Sequence, residues 1–231
     1  MTISSTTNRI LNFSAGPATL PEPVLQQAQG DLLNIGGSGI GICEHSHRGP
    51  VFDQVINDAV ANCRTVGNVP DEFEILFLQG GATLQFAMLA MNFLLDGKSA
   101  DYLDTGVWTT KSIAEARKIG NVHLAYDGSL TNYDHCPVDA ELDLHEDAAY
   151  LHYCSNNTIY GTHFTSVPKT DSPVICDMSS DMFSRPIDWG SFDMVYAGAQ
   201  KNLGPSGVVL VIIRKTMLEK CPDSLPLLLN Y

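Results

Sequence analysis

The chain has 231 residues, 44% of them hydrophobic, which suits one large soluble α/β domain. Its formal net charge of -13 argues against nucleic acid or an anionic membrane as a partner, and it contains no apolar run of membrane-spanning length. Residues 1–9 are polar and lack the apolar core of a signal peptide, so we expect none.

The first 70 residues predict an N-terminal arm followed by a helical segment. In chain order the pattern predicts an extended arm over 12–23, a helix over 23–34, a glycine-rich connector over 36–41 and a second helix over 52–66. The glycine run lacks the preceding strand that a dinucleotide-binding fingerprint requires. We therefore expect this part to form one structural unit with the domain that follows.

Residues 71–231 predict that domain, because apolar strand-like runs alternate with helical ones. The predicted strands are 74–78, 100–103, 122–126, 148–154, 173–178, 192–197 and 208–213. Two helices, over 84–95 and from Trp108 to near Gly120, separate the first three strands. This alternation predicts a three-layer α/β/α fold with a mostly parallel seven-stranded sheet. A short turn before the last strand favours an antiparallel final strand.

Six cysteines are scattered along the chain without a C-x-x-C pair. Cys154 and Cys176 lie inside apolar strand-like runs, which favours reduced thiols in the core. We expect neither a disulfide framework nor a metal site, and a cytoplasmic location.

Candidate site residues follow the ends of the predicted strands, where open parallel sheets bind their ligands. The run 80–83, Gly-Gly-Ala-Thr, offers backbone N–H groups and a helix N-terminus to an anion, although glycines there also serve backbone geometry alone. Trp108 begins the next helix, where it stacks on a flat ring or simply fills the core. The polar cluster 155–158 offers a hydroxyl to a ring oxygen or forms a plain turn.

Asp177 and Lys201 are the most informative of these residues. A carboxylate at the end of a buried strand is costly unless it has a partner, and a pyridinium nitrogen is such a partner. Lys201 follows the next strand and suits a Schiff base to pyridoxal phosphate, while a surface lysine is the alternative. Because one connection separates them, we expect both at the same sheet edge.

Several segments resemble the phosphoserine aminotransferase family, whose members are class V, fold type I transaminases that use pyridoxal phosphate. The matching segments are 12–17, 46–49, 80–86, 152–159, 177–180, 184–188 and 196–202. The resemblance runs from about Asn12 to Tyr231, and it implies a homodimer with active sites at the subunit interface.

The resemblance implies roles around the cofactor ring. Lys201 is implied to be the Schiff-base lysine and the catalytic proton shuttle. Asp177 is implied to partner the pyridinium nitrogen, Trp108 to stack on the ring, and Thr158 to bond the phenolic oxygen.

Further roles are implied at the two ends of the bound molecules. Ala82, Thr83 and Gln200 match the positions that bind the cofactor phosphate. His47 and Arg48 match residues that hold the anionic substrate from the partner subunit, a task that suits an arginine fork.

The implied reaction transfers the amino group of glutamate to 3-phosphohydroxypyruvate, which gives phosphoserine and 2-oxoglutarate in serine biosynthesis. The family continues past the position of Tyr231 with a small C-terminal domain, so that domain and the residue for the α-carboxylate are expected to be absent here. The apolar end, 225–231, is expected to pack against something that follows it.

Two alternatives remain open. One is a non-catalytic remnant or partner subunit that binds pyridoxal phosphate. The other is a related class V activity such as a desulfurase, which the sequences around 46–49 and 200–202 disfavour.

Overall fold

A computed structural model describes residues 9–95 and 97–231, so the first eight residues of the predicted N-terminal segment lie outside it. Its helices are α1 (Glu22–Asn34), α2 (Pro50–Gly67), α3 (Gly81–Phe93), α4 (Val107–Ala116) and α5 (Lys215–Leu218). Its strands are β1 (Phe73–Gln79), β2 (Ser99–Asp104), β3 (Asn121–Asp127), β4 (Leu151–Cys154), β5 (Asn156–Asn157), β6 (Thr162–His163), β7 (Val174–Asp177), β8 (Met194–Gly198) and β9 (Val208–Arg214).

Seven of these strands form one sheet in the order β1-β9-β8-β7-β4-β2-β3. The strands from β8 to β3 are parallel to their neighbours, whereas β9 pairs antiparallel with both β8 and β1. The predicted mostly parallel sheet and the antiparallel last strand are therefore confirmed. A separate hairpin of β5 and β6 was not predicted, since two residues in each strand are too few to show a period.

Two elements start three residues away from the sequence expectation, and α4 ends at Ala116 rather than near Gly120. β4 begins at Leu151 rather than at residue 148, so the start of that apolar run is irregular backbone. α3 begins at Gly81 rather than at residue 84, because Gly80, with φ of 86°, makes the turn out of β1 and the helix follows at once.

The sheet is covered on both faces, which explains why its strands read as continuous apolar runs. Residues of β9 alternate between the two sides: Leu210 and Ile212 pack with Leu151 and Trp189 on one face. Val209, Val211 and Ile213 pack on the other face with the apolar side of α3. The central strands are thus buried on both sides.

The N-terminal helices differ in how they meet this core. α2 is held to the domain because Trp189 Nε1 donates a hydrogen bond of 2.9 Å to the carbonyl of Gly67. Arg64, near the end of the same helix, donates to the carbonyl of Pro70 at 2.8 Å. In α1, by contrast, none of residues 22–34 is buried. Its apolar face is left to solvent in a single chain.

The last residues fold back on α3. The ring of Tyr231 stacks on Phe93 with centroids 5.7 Å apart, and its hydroxyl donates to Gln85 Oε1. Leu227 and Leu228 are exposed. That these leucines pack against a following segment stays a prediction.

The described residues include no helix that is both long and apolar enough to cross a membrane.

We predict that Leu151→Ala destabilises the domain, because Leu151 is fully buried in β4, a central strand that pairs with β2 on one side and β7 on the other. The expected loss in free energy of unfolding is about 3 kcal/mol, from lost burial and a residual cavity. Leu130→Ala is the matched control, since Leu130 is 84% exposed, and it should change stability by less than about 0.5 kcal/mol. Urea unfolding followed by circular dichroism measures both, and equal losses would contradict this packing.

Candidate functional site

A cavity of about 370 Å³ opens at the carboxyl edge of the parallel strands. Five parts of the fold supply its walls: the N-terminal arm at Gly16 and Pro17, the β1–α3 turn with the start of α3, the start of α4, the end of β7 and the loop after β8. Six of the predicted site residues line it, namely Ala82, Thr83, Trp108, Asp177, Gln200 and Lys201. The sequence expectation that these strand ends converge is met by this geometry.

Asp177 brings a buried carboxylate to the floor of the cavity. Ser179 donates to its Oδ1 twice, from the backbone N–H at 2.9 Å and from Oγ at 2.6 Å. Among the described residues no hydrogen bond ends on Oδ2, which leaves this oxygen for a ligand. Burial raises the pKa of Asp177, while the Ser179 donors and the charge of Lys201 oppose that rise.

Lys201 and Trp108 face each other across the cavity. The Lys201 ammonium lies 4.7 Å from the centroid of the Trp108 ring, within cation–π distance. The backbone of Gly16 passes so close to Lys201 that a Cβ there would lie 3.3 Å from Lys201 Cγ. The predicted N-terminal arm therefore confines the lysine stem from one side.

The position of Trp108 is set by the residue that ends β2. Asp104 Oδ1 accepts hydrogen bonds from the hydroxyls of Thr109 and Thr110, at 3.1 and 3.0 Å. These bonds tie the first turn of α4 to the strand end. The indole is thus carried on a rigid helix start rather than on a free loop.

The N-terminus of α3 supplies an anion-binding wall. Gly80 and Gly81 both have positive φ, 86° and 61°, and Gly81 has no atom near the place a Cβ would take. The first backbone N–H groups of a helix lack partners within it, and the helix dipole adds positive potential. Residues 81–83 are therefore suited to a phosphate group.

Three predicted site residues lie outside the described lining of this cavity. Thr158 is exposed in the turn between β5 and β6. His47 and Arg48 are exposed in the turn that precedes α2. Within one chain the structure does not bring these three side chains to the other six.

Sequence reasoning assigned no role to several residues that the cavity does contain: Gly16, Pro17, Phe86, Ser179, Ser206 and Gly207. The sequence does contain features that mark most of these residues. Segments 12–17, 80–86 and 177–180 belong to the matching motifs, and 204–207 is a Gly/Pro-rich turn. Ser179 is the most important omission. Its hydroxyl donates to Asp177 and accepts the N–H of Gly198 at 3.0 Å, so it joins β7 to β8.

Comparisons with known proteins show which family the chain is similar to. The family model described as aminotransferase class-V matches residues 10–227. A phosphoserine aminotransferase of Desulfatibacillum aliphaticivorans is 51% identical over 226 residues, which cover 97% of this chain and 62% of the relative. The chain thus spans about three fifths of the curated relatives it matches.

Two solved structures show the same fold. The phosphoserine aminotransferase of Bacillus circulans subsp. alkalophilus superposes with a TM-score of 0.93 at 46% identity, over 97% of this chain and 63% of that one. A phosphoserine aminotransferase of Trichomonas vaginalis, solved with PLP bound, gives a TM-score of 0.90 at 39% identity, over 96% of this chain and 67% of that one.

We predict that Ser179→Ala raises the pKa of Asp177 further, because the substitution removes a hydroxyl donor that favours the ionised carboxylate. A carboxyl ¹³C titration measures this, with Asp177→Asn identifying the resonance. Ser180→Ala is the matched control, since the Ser180 hydroxyl bonds the carbonyl of Asn156 instead. An unchanged pKa in Ser179→Ala, or an equal rise in both variants, would refute the role given to Ser179.

Proposed function

The chain belongs to the class-V aminotransferases, and we propose that it forms the pyridoxal-phosphate-binding part of a phosphoserine aminotransferase. One observation carries this proposal: Lys201, Asp177, Trp108 and the α3 N-terminus meet at one cavity. Each of these groups suits a different part of the same cofactor. The chain spans 62% of the length of this curated relative, so the activity of the whole enzyme is part of the proposal.

The groups present fit pyridoxal phosphate. Asp177 offers an unpaired Oδ2 for a protonated ring nitrogen, and Trp108 offers an aromatic face 4.7 Å from the lysine nitrogen. The glycine backbone at 80–81 and the first turn of α3 offer N–H groups to a phosphate. When bound, the cofactor supplies an electron sink that stabilises negative charge on the substrate α-carbon.

Lys201 would supply the amine that holds the cofactor, and it would act as the base that takes and returns the proton of the substrate α-carbon. Two contacts orient it. The Trp108 ring attracts its ammonium, and Gly16 restricts its stem. Ser179 acts one step further away, because it fixes Asp177 Oδ1 and so directs Oδ2 toward the ring nitrogen.

We assign the substrates 3-phosphohydroxypyruvate and glutamate, with phosphoserine and 2-oxoglutarate as products. Sequence matches to phosphoserine aminotransferases support this choice over a desulfurase or another class V activity. Arg48 and His47 are proposed to bind the anionic substrate. Since both are exposed on this chain, we propose that they serve the cavity of a second copy in a homodimer.

We predict that the chain with added pyridoxal phosphate shows the visible absorbance of a lysine-bound cofactor, and that borohydride fixes the cofactor to Lys201. Lys201→Ala should abolish both signals, because the described residues that line the cavity include no second lysine. Lys111→Ala is the matched control, since its ammonium lies 5.0 Å from the same indole centroid and yet lies outside the cavity lining. Absorbance measured by titration and peptide mapping by mass spectrometry give the answer.

Retention of the signals in Lys201→Ala, or their loss only in Lys111→Ala, would overturn the assignment of the lysine. Added phosphoserine or glutamate should change the visible spectrum of the loaded chain, whereas cysteine should release no sulfide. Binding of the cofactor without any response to amino donors would favour the non-catalytic alternative.

We predict that the chain associates with itself through the side of α1 that carries the exposed residues Leu25, Leu32 and Leu33. Leu33→Asp should lower the fraction of dimer in sedimentation velocity, because a charge in an apolar interface is costly. Leu130→Asp, at another exposed leucine outside α1, is the control. A monomeric parent chain, or equal behaviour of both variants, would contradict this interface.

A further inference from the structure

A second cluster of chemically active side chains lies on the far side of β2 from α3 and α4. It contains Asp101, His123 and His145, each of which places one ligand-type atom within 4.8 Å of the others. Asp101 and His123 are partners in the parallel register of β2 and β3. His145 lies in the loop before β4, and its backbone N–H donates to Asp101 Oδ2 at 2.9 Å.

Asp101 is the unusual member of this cluster. The residue is fully buried, and its Oδ1 has no hydrogen-bond partner. A buried carboxylate oxygen without a partner is costly, so such an atom indicates a missing partner. His145 Nδ1 lies 3.7 Å from this Oδ1, too far for a hydrogen bond.

The distance of 3.7 Å between these two atoms suits a metal ion between them. A metal bound at about 2.0–2.2 Å to nitrogen and oxygen holds neighbouring ligand atoms roughly 3–4 Å apart. Two imidazoles and one carboxylate favour a divalent transition ion, since magnesium and calcium prefer oxygen ligands. Three protein ligands leave one position for water.

The outer contacts of the histidines also suit a metal site. His123 Nε2 lies 2.6 Å from the carbonyl of Asp143, which accepts only, so Nε2 carries the proton and Nδ1 has a free lone pair. A histidine that donates its second N–H to a carbonyl is typical of metal ligands. The Asp143 carboxylate also lies 3.6 Å from His123 Nε2, whereas Ser99 Oγ, 2.9 Å from His145 Nδ1, has to leave that nitrogen when a metal binds it.

One local movement is needed for both rings to bind. The rings of His123 and His145 are stacked, with centroids 3.9 Å apart and an angle of 16° between their planes. A metal lies in the plane of each imidazole that binds it, so one ring has to turn. The side chain of His145 is 49% exposed and lies in a loop, which makes it the ring that moves.

We propose that Asp101, His123 and His145 form a binding site for a divalent transition-metal ion such as zinc. The site joins the edge strand β3 to β2 and to the loop before β4, and its expected role is structural. It lies three residues before the end of β2, roughly 10 Å along the strand from the edge that holds the cofactor cavity. The expectation from cysteine spacing that the chain has no metal site is revised on this point, because that spacing says nothing about histidines.

The test uses the full chain, freed of metal with a chelator and titrated with Co²⁺ and then with Zn²⁺. We expect one equivalent of Co²⁺ to give visible d–d absorption without the near-ultraviolet charge-transfer band of cobalt thiolates, and Zn²⁺ to displace it. The missing thiolate band separates this site from the six free cysteines. His123→Asn and His145→Asn should each weaken binding by more than the roughly 10- to 100-fold that loss of an outer partner costs.

His135→Asn is the matched control, because His135 also has two carboxylates beside it, those of Asp134 and Glu141. This variant should bind Co²⁺ as the parent does. Asp101→Asn should lose binding as well, and if it fails to fold, the two histidine variants decide. The proposal is overturned if the parent chain does not bind Co²⁺ saturably, if the histidine variants bind like the parent, or if His135→Asn abolishes binding.

Discussion

The buried carboxylate of Asp177 is the constraint on which the candidate site depends. A charge at this depth has to be compensated, and the fold compensates one oxygen only, through the two donors of Ser179. The second oxygen is directed to a cavity that holds the ammonium of Lys201. Because β7 and β8 are parallel neighbours, the turn after β8 brings that ammonium to the same edge. The order of the strands in the sheet therefore places the carboxylate of Asp177 and the ammonium of Lys201 at the same cavity.

Within the described part of the chain, the core beneath Asp177 offers it no cation. Tyr196, its register partner on β8, meets His152 Nε2 at 2.9 Å. Burial lowers the pKa of His152 to about 3 and raises that of Tyr196, so both side chains are neutral near pH 7. Compensation for Asp177 therefore has to come from the cavity side, from Lys201 or from a bound cationic ring.

The sequence predicted those parts of the fold that continuous apolar runs define. The seven strands of the main sheet, the antiparallel β9 and the convergence of Asp177 with Lys201 follow from burial and strand order alone. The predicted start of α3 was three residues late, because a Gly-Gly pair is typical of a turn and the sequence does not show that the helix begins within this pair. Ser179 was missed because a serine after a strand end shows no pattern; its role exists only where β7 meets β8.

The substrates that we propose carry anionic groups for which the described residues of one chain bring no further cationic side chain to the cavity. Lys201 is the one cationic side chain among the described residues that line it, and Asp177 opposes it. A phosphorylated keto acid adds a phosphate and a carboxylate, while the chain as a whole carries a formal charge of -13. Backbone N–H groups at α3 would compensate one anionic group, the phosphate of the cofactor, and would leave those of the proposed substrate unpaired. An arginine is the side chain best suited to them, and Arg48 is exposed on a turn whose neighbour α1 also exposes its apolar face. The second copy that we propose would therefore do two things. Its Arg48 would pair with the charge of the substrate, and its surface would cover the exposed face of α1.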